Sequence, residues 1–395
     1  MRIGIVTNYH LEQVGGAEEV IDRLAALWHG AGHDVTLFSA PSRRRGPTRP
    51  WQPRYRHVPL GRVYSSRFGL GRYVRAILRH QATLPLDVLL ACDAYWAGHV
   101  ARLVGQVSRV PYVVCSHGSD IMHGSRFLTR PVTRQRLGWA IRDAAAVACI
   151  SSYMRQRTEE VAQPQGIVRL VLNGWPDEWS HRPASPRRVA APYLLAMGRV
   201  VELKGFQTLV EAFARIRPRH PQVSLVIAGD GNYLPQLVDQ AERLGLHPAH
   251  HLPAAEDPRP TVCFPGFVHG DEKLSLLQHA ALAVSPSIRQ EPMSLVLYEL
   301  LCCGVPVIGS RVGGTPDIVK PGINGELFAA GDAAELAGIL GRLLENPASR
   351  DRLASQAGAS VEPYRWGRIA QAYLDLFGDV VDGGRAGSCH GRSAA

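Results

Sequence analysis

Short apolar runs alternate along the chain with stretches in which apolar residues recur every three or four positions. Arg2 to Thr7 reads as a buried strand, and Gly16 to Gly30 as a helix with Val20, Leu24 and Leu27 turned inward. Further strands are expected at Asp34 to Phe38, Asp87 to Cys92, Tyr112 to Cys115, Ala145 to Ile150 and Ile167 to Leu172. Helical patterns lie near Ala94 to Val107, Arg134 to Asp143 and Ser151 to Val161. Strand and helix in turn mean a parallel sheet covered on both faces. The proline-rich stretch Gly174 to Pro192 interrupts the pattern, which restarts with strand Tyr193 to Met197, helix Gly205 to Ile216, strand Val223 to Ala228 and helix Tyr233 to Leu244. Strands Thr261 to Phe264, Ala281 to Ser285, Val305 to Gly309 and Gly325 to Phe328 follow. The expectation is an α/β protein with domains over 1–175 and 193–362 and a linker over 176–192. A helix over 363–378 comes next, then a Gly-, Ser- and Ala-rich tail, 379–395, expected to be disordered. At 395 residues, two cores are the natural outcome.

Composition narrows the setting. There is no apolar run long enough to span a bilayer, and the first strand is too short for a signal peptide. The seven cysteines include no Cys-x-x-Cys pair, and Cys92, Cys115, Cys149 and Cys263 sit in apolar runs, which reads as reduced thiols of a cytoplasmic protein. The net charge of +10 lies wholly in residues 1–180, where 23 Arg face 13 acids. Between Arg43 and Arg79 there are 11 arginines and no acid. Part of that segment, residues 67–79, sets Leu70, Tyr73, Val74, Ile77 and Leu78 against Arg72, Arg75 and Arg79, the pattern of a basic amphipathic helix on an anionic membrane. The plain alternative is a solvated basic surface. No nucleic-acid motif accompanies the patch, so nucleic acid is not the expected partner. The loop His247 to Pro260 carries three histidines and four prolines and reads as an insertion rather than a metal site.

Two glutamates carry the chemistry. Glu291 follows an apolar strand and precedes Pro292, which is suited to a first helical turn; Glu299 falls inside the expected helix. Eight helical positions would set the carboxylates about 12 Å apart, the span of a ribose-diphosphate-hexose unit. The helix start between them, with the N–H groups of Ser294, Leu295 and Val296, is a natural phosphate cradle. The turn Gly198 to Gly205 after strand Tyr193 to Met197 places Arg199 and Lys204 where two cations can neutralise a leaving diphosphate. Gly15-Gly16 after the first strand would let backbone N–H groups approach a phosphate or a sugar.

Gly198-Arg199-x4-Lys204-Gly205 followed by Glu291-x7-Glu299 resembles the paired signature of the retaining, GT-B-fold glycosyltransferases of family 4. Val14 to Glu18, His117-Gly118-Ser119-Asp120, Asn173-Gly174 and Gly313 to Asp317 resemble further landmarks of that family in the expected order, so the likeness covers about residues 1 to 375. It implies two Rossmann-like, doubly wound domains facing each other across a cleft, with the helix over 363–378 crossing back to the first. It also implies roles. His117 would support positive charge at the anomeric carbon, Arg199 and Lys204 would bind the diphosphate, Glu291 the hexose and Glu299 the ribose, with Asp120 capping or orienting. Gly229, in Gly229-Asp230-Gly231, and Val268, through its backbone, would line the nucleotide. The donor would be a UDP-sugar or GDP-mannose, and the acceptor a glycan, lipid-linked or small-molecule hydroxyl. There is no Asp-x-Asp, so no metal or other cofactor is expected. The protein would be cytoplasmic, with peripheral attachment to the inner membrane face through Arg43–Arg79 as an option. Two rival readings share the scaffold: a nucleotide-sugar epimerase, and a non-catalytic sugar-nucleotide-binding protein. One departure stands out: Glu291-Pro292-Met293-Ser294 replaces the family's usual Glu-[Gly or Pro]-Phe-Gly, which puts the hexose pocket and donor choice in question.

Overall fold

A computed structural model describes residues 1–13, 15–39, 50–60, 67–175, 185–189, 192–252 and 261–390. The chain forms two compact units, one of residues 1–174 with the helix Trp366–His390, the other of residues 175–365.

The N-terminal unit contains β1 (Arg2–Thr7), β2 (Asp34–Ser39), β3 (Arg56–Pro59), β4 (Val88–Ala91), β5 (Tyr112–Cys115), β6 (Ala146–Cys149) and β7 (Ile167–Leu170). They form one parallel sheet in the order β3-β2-β1-β4-β5-β6-β7. β3 was not expected: its residues alternate weakly and sit half-buried at a sheet edge. The central strands are buried along their whole length, as strands covered by helices on both faces must be. The helix Trp366–His390 belongs to this unit through specific contacts. Trp28 Nε1 donates to Ala370 O at 3.0 Å, the Trp28 ring meets Tyr373 and Phe377 edge-on, and Tyr373 Oη lies 3.1 Å from Cys115 Sγ. The helix runs on past Phe377 to His390, so residues 379–390 are helical rather than disordered. Val380 stays buried and Asp379 pairs with Arg169 at 2.7 Å, which prolongs the packed face by another turn. Residues 391–395 of the expected tail lie outside the described residues.

The C-terminal unit holds β8 (Tyr193–Met197), β9 (Ser224–Ala228), β10 (Pro248–Ala249), β11 (Val262–Gly266), β12 (Leu282–Ser285), β13 (Val307–Ser310) and β14 (Gly325–Phe328), parallel in the order β10-β11-β9-β8-β12-β13-β14. Its core is built on Phe206, Phe213, Phe264, Phe328 and their aliphatic neighbours. Trp175 and Arg365 pair as a parallel bridge, with the guanidinium 4.9 Å from the indole ring. Of the stretch expected as a linker, 176–184 and 190–191 lie outside the described residues. Residues 185–189 are docked: Ser185 N donates to Gln278 Oε1 and Ser275 Oγ to Pro186 O, both at 2.7 Å. In each sheet the strand order reverses beside its first strand, between β1 and β4 and between β8 and β12. Ligands of doubly wound sheets bind outside the carboxyl ends at such a reversal.

Candidate active site

The chain leaving β8 and the chain leaving β12 are forced together. After β8 it turns at Gly198, passes through a 3₁₀ turn, Glu202–Lys204, and enters the helix Phe206–Ile216. Gly205 has φ +70, and a Cβ there would lie 1.9 Å from Pro286 O, just past β12. Only glycine allows both that backbone and that approach. Ile288 N donates to Leu203 O at 3.1 Å and completes the junction. Lys204 Nζ therefore donates to Glu291 Oε1, while Ser287 Oγ donates to Glu291 Oε2 at 2.8 Å. Burial by itself would raise the Glu291 carboxyl; Lys204, Ser287 and Arg199 outweigh it and hold the group below its ordinary range. Arg199 is exposed on the same turn. Arg199 and Lys204 thus form one cluster with Glu291, distant from them in sequence, at the strand-order reversal.

One expectation is corrected. Glu291 and Pro292 are not in the helix, which is Leu295–Cys302 with extended Ser294 as its N-cap (φ −97, ψ 118). The glycine loop after β13 captures the backbone instead: Gly314 N donates to Glu291 O at 2.9 Å, and Gly313 (φ +54) comes so close that a Cβ would lie 1.8 Å from that oxygen. The helical spacing assumed for Glu291 and Glu299 therefore does not apply. Ser294, Leu295 and Val296 do form the helix start, where N–H groups lack intrahelical partners.

Glu299 lies on that helix, and Lys273 Nζ donates to its Oε1 at 2.6 Å. Its Oε2 is buried with no hydrogen bond among the described residues. Lys273 was missed because Gly270-Asp271-Glu272-Lys273 reads as an ordinary solvated first turn. Gly229 N is engaged by Gly266 O at 2.7 Å, and Gly229 packs on the Gly198 turn. The Val268 side chain is buried, and exposed Phe267 stacks beside His269.

In the N-terminal unit, Gly15 caps the helix Gly16–Gly30 in an extended conformation. The Glu18 carboxylate folds back over it, and a Cβ on Gly15 would lie 2.2 Å from Glu18 Oε2. Val14 lies outside the described residues. His117, half-buried after β5, meets Tyr9 edge-on at 5.9 Å, and desolvation pushes its imidazole down to about 4. Asp120 accepts from Ala94 N at 2.5 Å, Tyr95 N at 3.1 Å and Ser116 Oγ, so it fastens the loop after β5 to the loop after β4. Asp93, not singled out from the sequence, accepts from Trp96 N and Ala97 N. Burial and then Asp120 push its carboxyl up to about 7. Its signal is an acid closing an apolar strand just before a helix.

The basic helix is Arg67–Thr83. Tyr73 and Ile77, expected to face a membrane, are buried, and Tyr73 sits edge-on to Trp96 at 4.5 Å. Arg72, Arg75 and Arg79 remain exposed. Residues 40–49 and 61–66 of the basic segment lie outside the described residues, as do 253–260 of the histidine loop. Among the described residues no helix is long and apolar enough to cross a membrane, and no three His, Cys, Asp or Glu side chains gather as a metal site.

Two family models cover nearly the whole chain: a glycosyl transferase 4-like domain matches residues 15–174, and glycosyl transferases group 1 matches 177–359. The chain belongs to the group 1 glycosyltransferases of family-4 type. This glycosyltransferase is 29% identical to a glycogen synthase of Mycobacterium tuberculosis, over 95% of this chain and 94% of that one. It is 25% identical to the phosphatidyl-myo-inositol mannosyltransferase of the same organism, over 97% and 98%. Its fold is that of Anabaena HepE, solved with UDP, at TM-score 0.78 and 21% identity over 96% of this chain and 100% of that one. The glycosyltransferase therefore has the GT-B fold expected from its motifs.

Proposed function

We propose that this glycosyltransferase moves a hexose from a nucleoside diphosphate to an acceptor hydroxyl, with retention and without a metal ion. The observation that carries the reading is the Arg199, Lys204 and Glu291 cluster at the carboxyl ends of β8 and β12. A diphosphate gains negative charge as its bond to the sugar breaks, and two fixed cations meet that charge where it develops. The start of the helix Leu295–Cys302 adds N–H groups for the phosphates. Glu291 receives hexose hydroxyls, and Glu299 receives those of ribose. The leaving diphosphate takes the acceptor proton on the face it departs from, so the protein's task is electrostatic rather than nucleophilic. His117, held neutral, offers a dipole to the sugar without adding a like charge to an oxocarbenium-like centre.

UDP-glucose is the first donor to test, because HepE has been solved with it; GDP-mannose is the second. The acceptor is proposed to be a glycan or lipid-linked hydroxyl. Attachment to an anionic membrane would rest on charge from Arg72, Arg75 and Arg79, since the buried Tyr73 and Ile77 leave little apolar face for insertion.

The deciding experiment measures transfer from UDP-glucose and GDP-mannose with EDTA present and fixes the product anomer by NMR. Retained configuration without metal supports the reading. An inverted product, or activity abolished by EDTA and restored by Mn²⁺, defeats it.

A further inference from the structure

The opposite end of the C-terminal sheet holds a pocket of about 350 Å³. Its floor is the chain entering three neighbouring central strands: Pro192 before β8, Ala281 before β12 and Pro306 before β13. The donor cluster lies beyond the other ends of the same strands, so the two places are distinct. Around this floor stand Arg187, His279 and Arg350, with Asp351 the one acid in the lining among the described residues.

These side chains are held by the fold rather than left loose. His279 Nε2 donates to Ser185 O at 2.7 Å, which fixes both the ring and the segment carrying Arg187. Arg187 Nε donates to Val189 O at 2.9 Å. Arg350 Nε stands 3.6 Å from Asp351 Oδ1, too far for a direct hydrogen bond. The Nη groups of both arginines make no hydrogen bond among the described residues, and these forked donors suit phosphate. Two arginines against one acid leave this lining with an excess of positive charge that an anion would answer. The volume falls within the range of small-ligand sites. Proline and alanine on the floor suit the C–H face of a sugar ring or a short carbon chain.

We propose that this pocket is a second binding site, for a small phosphorylated metabolite of about hexose phosphate size. The phosphate would lie between Arg187 and Arg350, and the carbon body on Pro192 and Pro306.

The test is titration of the full chain with inorganic phosphate and with glucose 6-phosphate, by calorimetry at low ionic strength. Wild type, Arg187→Ala, Arg350→Ala, Asp351→Asn and Lys204→Ala are compared. Glucose 6-phosphate should bind the wild type with Kd near or below about 1 mM. Each arginine variant should weaken it by about tenfold or more, the loss of a charge-assisted hydrogen bond. Asp351→Asn should bind more tightly, and Lys204→Ala should bind as wild type does. Arg187 and Arg350 lie at the surface, and circular dichroism confirms that their variants are folded. Binding kept in both arginine variants but lost in Lys204→Ala would place the anion at the donor turn and overturn the inference. Absence of saturable binding to the wild type would overturn it as well.

Discussion

Lys204 and Glu291 stand 87 positions apart in the chain, yet the lysine ammonium donates directly to the glutamate carboxylate. On the proposed reading, a sugar diphosphate would share both charges, drawing Lys204 toward phosphate and leaving Glu291 to sugar hydroxyls. Lys204→Ala and Glu291→Ala should each lower kcat/KM by ~10²–10³. Lys204→Ala should lose UDP affinity as well, whereas Glu291→Ala should keep it, because UDP has no hexose. Near-wild-type turnover in both variants would remove the cluster from the mechanism.

Glu299 leads to a separate prediction. Its Oε1 is held by Lys273 and its Oε2 is buried and unpartnered among the described residues; the role proposed for the carboxylate is to accept from ribose. Wild type should prefer a ribonucleoside diphosphate over its 2′,3′-dideoxy form, and Glu299→Ala should lose about tenfold or more of that preference. Equal preference in the two proteins, read by thermal shift, would assign Glu299 to structure alone.

Gly205 makes the junction possible. Gly205→Ala combines a left-handed backbone with a Cβ 1.9 Å from Pro286 O. Urea unfolding should show a loss of at least about 2 kcal/mol, beyond the usual left-handed penalty of about 1–2 kcal/mol. Donor affinity should fall with it, since Lys204 would move away from Glu291. A variant as stable as wild type would mean that the two turns can separate freely.

His117 yields a pH prediction. Its folded imidazole titrates near 4, against 6.5 unfolded. The unfolded chain therefore binds the proton first as pH falls, and the stability tied to neutral His117 is complete above about 6.5 and lost toward 4. The ring resonances should titrate below pH 5, and His117→Gln should flatten the stability slope between pH 6.5 and 4. A midpoint near 6.5 would contradict the desolvated ring.

Arg72, Arg75 and Arg79 can be tested with liposomes. The protein should pellet with vesicles of anionic lipid at low salt and be released at high salt, because charge alone is screened over about 10 Å at 0.1 M. Replacing all three by Ala should abolish pelleting. Protein left in the supernatant at low salt would end the membrane proposal.

Much of this glycosyltransferase was legible in the chain itself. Apolar runs and helical periods gave both sheets, because a strand covered on two faces must be apolar throughout. Residue types at fixed spacing picked out Arg199, Lys204, Glu291 and Glu299 as candidates, and the fold brings the first three together. Partnership was decided in three dimensions. Glu291 stands outside the helix because Gly314 N holds its carbonyl from the loop after β13, and Lys273 reaches Glu299 from a helical first turn with no signal of its own. Tyr73 and Ile77 turned inward because the core beside Trp96 accepted them. Local sequence sets periodicity and charge; long-range packing chooses which face is buried and which charges meet.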